Sequence, residues 1–135
     1  MSSKIYDLFI SHAWDHKEDY YTLSDKLNNY PYFYWRDYSV PFHDPINSVN
    51  AQTIKAKIKE KIRQCSVFIV FAAMYSIYSD WIEWEIKVAQ EYGKPILAIK
   101  PWGQTKIPVF IQENANKIVG WNIDSIVSEI RELAK

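Results

Sequence analysis

Apolar residues fall along this chain in short unbroken runs, separated by segments with a three-to-four-residue rhythm. Three runs, residues 6–11, 66–73 and 95–100, are continuous rather than alternating. β-Branched and aromatic side chains dominate them, which predicts parallel strands covered on both faces. A weaker run at 33–35 precedes a loop of turn formers (Pro41, Asp44, Pro45, Asn47), and a fifth comes at 117–121.

Helical spacing fills the gaps. Residues 15–27 open with Asp15 and Glu18 at capping-box spacing and place Tyr20, Leu23 and Leu27 on one face. Residues 53–64 set Ile54, Ile58 and Ile62 four apart, among Lys55, Lys57, Lys59, Lys61 and Arg63. Residues 80–92 form a third helix stopped by Gly93, and 123–134 a last one that buries Ile126, Ile130 and Leu133. The alternation implies right-handed crossovers and an α/β fold. The expected architecture is a flavodoxin-like three-layer sandwich, a five-stranded parallel sheet of order 2-1-3-4-5 with helices on both faces. In that order strands one and three meet where the winding reverses, and ligands bind beyond their carboxyl ends. The loops at 11–15 and 74–80 are therefore the ones to watch.

Length and composition narrow the class. A chain of 135 residues is expected to form one domain, 1–135, with its own core. Sixteen basic residues balance sixteen acidic ones, which argues against a broad nucleic-acid surface, and Glu60 interrupts the lysines of the second helix. Near-neutrality makes self-association physically easy. A single cysteine, Cys65, at the join of a helix and a strand, reads as a core residue in a reducing compartment. The first residues lack an apolar signal core, and no apolar run is long enough for a membrane span. A cytoplasmic protein with no membrane partner is the expectation. Aromatic residues make up 16% of the chain, more than a small core hides, so some should line a pocket.

One carboxylate stands out. In the helix that starts beside the switch point, Glu83 has Asp80 three before it and Lys87 four after it, and Glu91 can share that lysine. Glu85 has only Trp81, Ile82, Val88 and Ala89 at those spacings. A carboxylate in an apolar stripe is costly unless it is paired or kept for a ligand. Two readings remain: an edge position that reaches solvent or a distant arginine, or a functional group.

The motifs resemble those of TIR domains. Tyr6-Asp-Leu-Phe-Ile-Ser-His-Ala13 is similar to the family's first strand, and Ser79-Asp-Trp-Ile-Glu-Trp-Glu85 to its Trp-x-x-x-Glu helix start. Gly93-Lys-Pro-Ile and Pro101-Trp-Gly resemble the branch formed by ThsB proteins of Thoeris anti-phage systems. The resemblance implies an enzyme that cleaves the nicotinamide–ribose bond of NAD, with NAD as substrate and no separate cofactor. It further implies a cyclic ADP-ribose-type signal for a ThsA-like effector, and silence until a phage-derived trigger arrives. Glu85 takes the catalytic position. Ser11, His12 and Ala13 become phosphate or ribose contacts. Phe42 and Asp44, flanking His43, fall in the loop that covers the pocket and mediates assembly. Tyr75, Ser76 and Trp81 become further pocket residues, with Tyr75 and Trp81 as apolar walls that exclude water.

Rival readings are weaker. A receiver domain needs an aspartate where this chain has Phe71-Ala-Ala-Met, and a flavodoxin needs a Ser/Thr-rich loop where it has Ser11-His-Ala-Trp-Asp. With three glycines there is no Gly-rich phosphate loop. His12 and His16 are four apart, but the expected cap at Asp15 leaves His12 outside the helix, and no metal is expected. The serious competitor is a non-catalytic TIR-like module that only assembles with partners.

Overall fold

The computed structural model describes residues 4–101, 103 and 106–135. Met1, Ser2, Ser3 and Trp102, which entered the sequence reading, lie outside the described residues. The elements in order are β1 (Ile5–Ile10), α1 (Glu18–Asn28), β2 (Tyr34–Asp37), α2 (Ala51–Gln64) and β3 (Val67–Phe71). They continue with α3 (Tyr75–Glu91), β4 (Ile96–Ile99), α4 (Val109–Asn114), β5 (Lys117–Val119) and α5 (Ile123–Leu133). All pairings are parallel and the sheet order is β2-β1-β3-β4-β5, the doubly wound arrangement that the apolar runs predict.

Strand alternation sorts the core into two layers. On one face Phe9, Phe68, Val70 and Ala98 pack against Ile58 and Ile62 of α2, Ile82 and Ile86 of α3, and Ile111 of α4. On the other, Leu8, Ile10, Ile69, Phe71 and Leu97 pack against Leu23 and Leu27 of α1 and Ile126 and Ile130 of α5. Leu133 is half-buried at the edge of that layer, and Cys65 is buried in the first. The start of β1 and the end of α5 meet: the Lys4 ammonium donates to the Ala134 carbonyl at 2.7 Å, below the amino edge of the sheet.

Two helix starts and one short helix depart most from the sequence expectation. Helix α1 starts at Glu18, not Asp15, because a tight turn pairs His16 with Ala13 (N–H to carbonyl, 3.1 Å) and uses up the expected first turn. Helix α3 starts at Tyr75, five residues early, and bends at Tyr78 (φ −125°, ψ 38°). Asp80 and Glu83 thus lie inside α3 and cap nothing; Glu83 accepts the Tyr75 hydroxyl instead of pairing with Lys87. Helix α4 has no clear periodic signal, since it has six residues.

The C-terminal stop of α3 follows the sequence. Gly93 (φ +68°) lets its own N–H reach the Gln90 carbonyl at 3.0 Å and the Lys94 N–H reach Ala89 at 2.8 Å. A Cβ there would meet nothing within 4 Å, so Gly93→Ala carries only the backbone cost of a left-handed conformation. That variant is expected to lose about 1–2 kcal/mol in urea unfolding.

Candidate active site

Strand alternation aims the tip of β1. Ser11 follows Phe9 to the α3 face, and its hydroxyl donates to Glu85 Oε1 at 2.5 Å. Glu85 is 0% exposed, and its Oε2 has no hydrogen-bond partner. An enclosed carboxyl group with one neutral donor is poorly solvated, and burial pushes its pKa up to about 8 against the pull of the Ser11 hydroxyl. The helix face that carries Glu85 also carries Trp81, one turn nearer the carboxyl edge of the sheet.

The loop after β2 closes over this face. Phe42 sits in parallel register with Ala13; its N–H donates to the His12 carbonyl at 3.1 Å and its carbonyl accepts from Trp14 at 2.9 Å. Its ring stacks on Trp81 (5.3 Å between centroids, 12° between planes) and meets Tyr78 edge-on. The Trp81 Nε1–H donates to the Asp44 carbonyl at 3.0 Å. Asp44 holds a left-handed conformation (φ 66°), and its carboxylate bonds His43 Nδ1 at 2.8 Å.

Above these rings opens a cavity of about 400 Å³, bounded by the loop from Phe42 to Asn47, Ala13, Asp15, and residues 77–81 at the bend of α3. Ala13, Phe42 and Trp81 are lining residues, 2%, 2% and 5% exposed. Ser11 lies two residues deeper on β1 than Ala13, and Glu85 one turn deeper on α3 than Trp81. The Ser11–Glu85 pair is therefore behind the cavity wall rather than in its lining.

The candidate residues thus divide. Ala13, Phe42, Asp44 and Trp81 line the cavity, with Ser11 and Glu85 behind them. His12 follows Ile10 to the opposite face, where its ring stacks on Tyr20 (4.0 Å, 7°) and its Nδ1 bonds the Ile10 carbonyl at 2.9 Å. Burial there lowers its pKa. Tyr75 turns toward α4, stacking on Phe110 (5.7 Å), and Ser76 lines a separate cavity of about 510 Å³ with Pro101 and Pro108. His16 goes to the Tyr78 hydroxyl, far from a shared ligand set with His12. Among the described residues no cluster of His, Cys, Asp and Glu could hold a metal ion. None of their helices is long and apolar enough to cross a membrane.

The loop at 74–80 that the sequence marks does reach the cavity, but through Ile77, Tyr78, Ser79 and Asp80 rather than the Tyr75 and Ser76 singled out from it. Residues 75–78 form the first turn of α3 before its bend at Tyr78, which aims Ile77 and Tyr78 at the cavity.

Comparison with known proteins gives the family and the fold. The model of the family described as "Thoeris protein ThsB, TIR-like domain" matches residues 9–106, which span β1 to the loop after β4. No curated protein matches. Among solved structures, the chain is similar to the Clostridium botulinum CMP N-glycosidase BcmB at 14% identity. That likeness has a TM-score of 0.56 and covers 93% of this chain and 98% of the other, a match of fold. With the matched segment carrying Ser11, Phe42 and Glu85 alike, the chain belongs to the family of TIR-like domains of Thoeris ThsB proteins.

Proposed function

We propose that this protein cleaves the nicotinamide–ribose bond of NAD and turns the remainder into a cyclic ADP-ribose-type signal for a ThsA-like effector. The observation that carries the reading is Glu85: a wholly enclosed carboxyl group with an unpartnered oxygen, at the carboxyl ends of β1 and β3. Family membership and the likeness in fold to BcmB, a CMP N-glycosidase, support the same class of chemistry.

The chemistry asks little of the protein. As the C1′–N bond breaks, its electron pair returns to the pyridinium nitrogen, and nicotinamide leaves neutral without a general acid. Positive charge moves to the ribose, where one carboxylate stabilises it, as in glycosidases. A hydroxyl of the substrate then attacks C1′ in place of water, which the Phe42–Trp81 wall excludes, and passes its proton to the Glu85 carboxylate. Exclusive release of linear ADP-ribose would remove the water-exclusion step.

The same wall separates Glu85 from the cavity, so substrate entry requires the loop from Phe42 to Asp44 to lift from Trp81, and the chemistry follows once it has closed again over the ribose. A trigger that favours the lifted loop gives a physical basis for silence before infection. Self-association through this loop is one such trigger. The enclosure of Glu85 also favours the rival reading, a non-catalytic assembly module. Incubating the protein with NAD, with and without phage-infected lysate, separates the two: nicotinamide appears only if the enzyme reading holds.

Ser11 is a positioning residue in this scheme, since its hydroxyl favours the ionised form of Glu85. The active form is the carboxylate, so kcat/KM is expected to rise with pH toward a limb centred near 8. Ser11→Ala is expected to move that limb upward by about one pH unit. An unmoved limb would leave Ser11 without influence on Glu85.

A further inference from the structure

The cavity above Glu85 has a charge problem that bears on how a dinucleotide would sit. Its lining includes Asp15, Asp44 and Asp80, and among the lining residues no Lys or Arg. The single imidazole, His43, is already engaged by Asp44. A pyridinium riboside is cationic and suits such walls. A pyrophosphate is anionic and does not. A substrate with both ends must therefore leave its phosphates outside.

At the mouth stands the complement. Trp14 is 55% exposed, yet its backbone is tied to the cavity wall by its N–H to the Phe42 carbonyl at 2.9 Å. Its ring meets the ring of His43, a lining residue, edge-on at 5.9 Å. The Lys17 ammonium lies 3.9 Å from the centre of the same indole, and among the described residues it has no carboxylate at ion-pair distance. An exposed indole offers a purine a stacking surface, and an ammonium resting on a π-face can turn on its own stem to a phosphate oxygen.

We infer that Trp14 and Lys17 form an outer subsite for the adenylate half of a dinucleotide, with the purine on the indole and the ammonium on the phosphates. The nicotinamide riboside then points inward over Asp15 and Asp80 toward the Phe42–Trp81 wall. This deepens the NAD reading and rests on it for the identity of the inner half only. The outer half is defined by chemistry that any adenosine diphosphate carries.

Calorimetry with ADP-ribose tests the subsite without turnover. The wild-type protein is expected to bind it, and Trp14→Ala to weaken binding about tenfold. Trp14→Phe, which keeps a stacking ring, is expected to restore most of the affinity. Lys17→Ala is expected to weaken binding several-fold and to flatten its salt dependence. With triggered protein, Trp14→Ala should raise KM for NAD with kcat unchanged, while nicotinamide mononucleotide, which lacks the adenylate, should show no change. No binding of ADP-ribose by the wild type, or equal binding by Trp14→Ala, overturns the subsite. ADP-ribose binding that depends on Trp14, without any NAD cleavage, keeps the subsite and removes the catalytic reading instead.

Discussion

Glu85→Gln is expected to reduce nicotinamide release from NAD by about 10²–10³-fold, measured under whatever lysate condition switches the wild type on. The amide has nearly the volume of the carboxyl group and can still accept the Ser11 hydroxyl through its oxygen, so packing at this fully enclosed position is preserved. What disappears is the negative charge that would stabilise a ribose cation as nicotinamide departs. Because the site is shielded from solvent, nothing nearby replaces that charge: Ser11 is neutral and the neighbouring helix positions are apolar. Near-wild-type turnover by Glu85→Gln would move the chemistry elsewhere, with the acidic cavity as the place to look. A circular-dichroism spectrum of the variant matching the wild type separates loss of chemistry from loss of fold.

The same substitution is expected to stabilise the protein, and only above acid pH. The folded state holds the Glu85 proton up to about pH 8, whereas an unfolded chain releases it near 4.5. Between those values the folded state binds more protons than the unfolded one, so stability falls as pH rises, by roughly 1.4 kcal/mol per pH unit across the window. Below it both states are protonated and nothing is lost; above it the loss is complete. Glutamine has no proton to lose. Urea unfolding at pH 5, 6.5 and 8 should therefore show Glu85→Gln close to wild type at the first and progressively more stable at the others. Parallel stabilities across the three would mean that Glu85 ionises as easily in the folded protein as outside it. A group that costs stability where it sits and has no structural partner beyond one serine fits the usual compromise between activity and stability.

Much of this was legible in the residues themselves. The runs around Phe9, Phe68 and Leu97 are apolar at consecutive positions because both sheet faces are covered, and that alone gives the parallel core. Glu85 was legible because its helical neighbours are apolar, whereas Glu83 has polar ones. The partner of Glu85 was not. Alternation along β1 puts Ser11 and His12 on opposite faces, but which face looks onto α3 depends on tertiary packing. The start of α1 was misplaced because a local capping pattern at Asp15 and Glu18 competes with the Ala13–His16 turn, which the Phe42 loop supports through Ala13 and Trp14. The cavity needed the bend at Tyr78, and no periodicity marks it. Local propensity described the scaffold; long-range contacts decided the mouth.

The meeting of Lys4 with Ala134 has a practical side. Strand β1 leaves from the amino edge of the sheet and α5 returns to it, whereas Trp14, Asp44 and Tyr78 gather at the far edge. A reporter or affinity handle joined before Lys4 or after Ala134 would emerge on the side of the molecule turned away from the mouth. Lys4 and Ala134 are also near enough for a short peptide to join them, so the fold could be reopened in an outlying loop without disturbing Ser11 and Glu85.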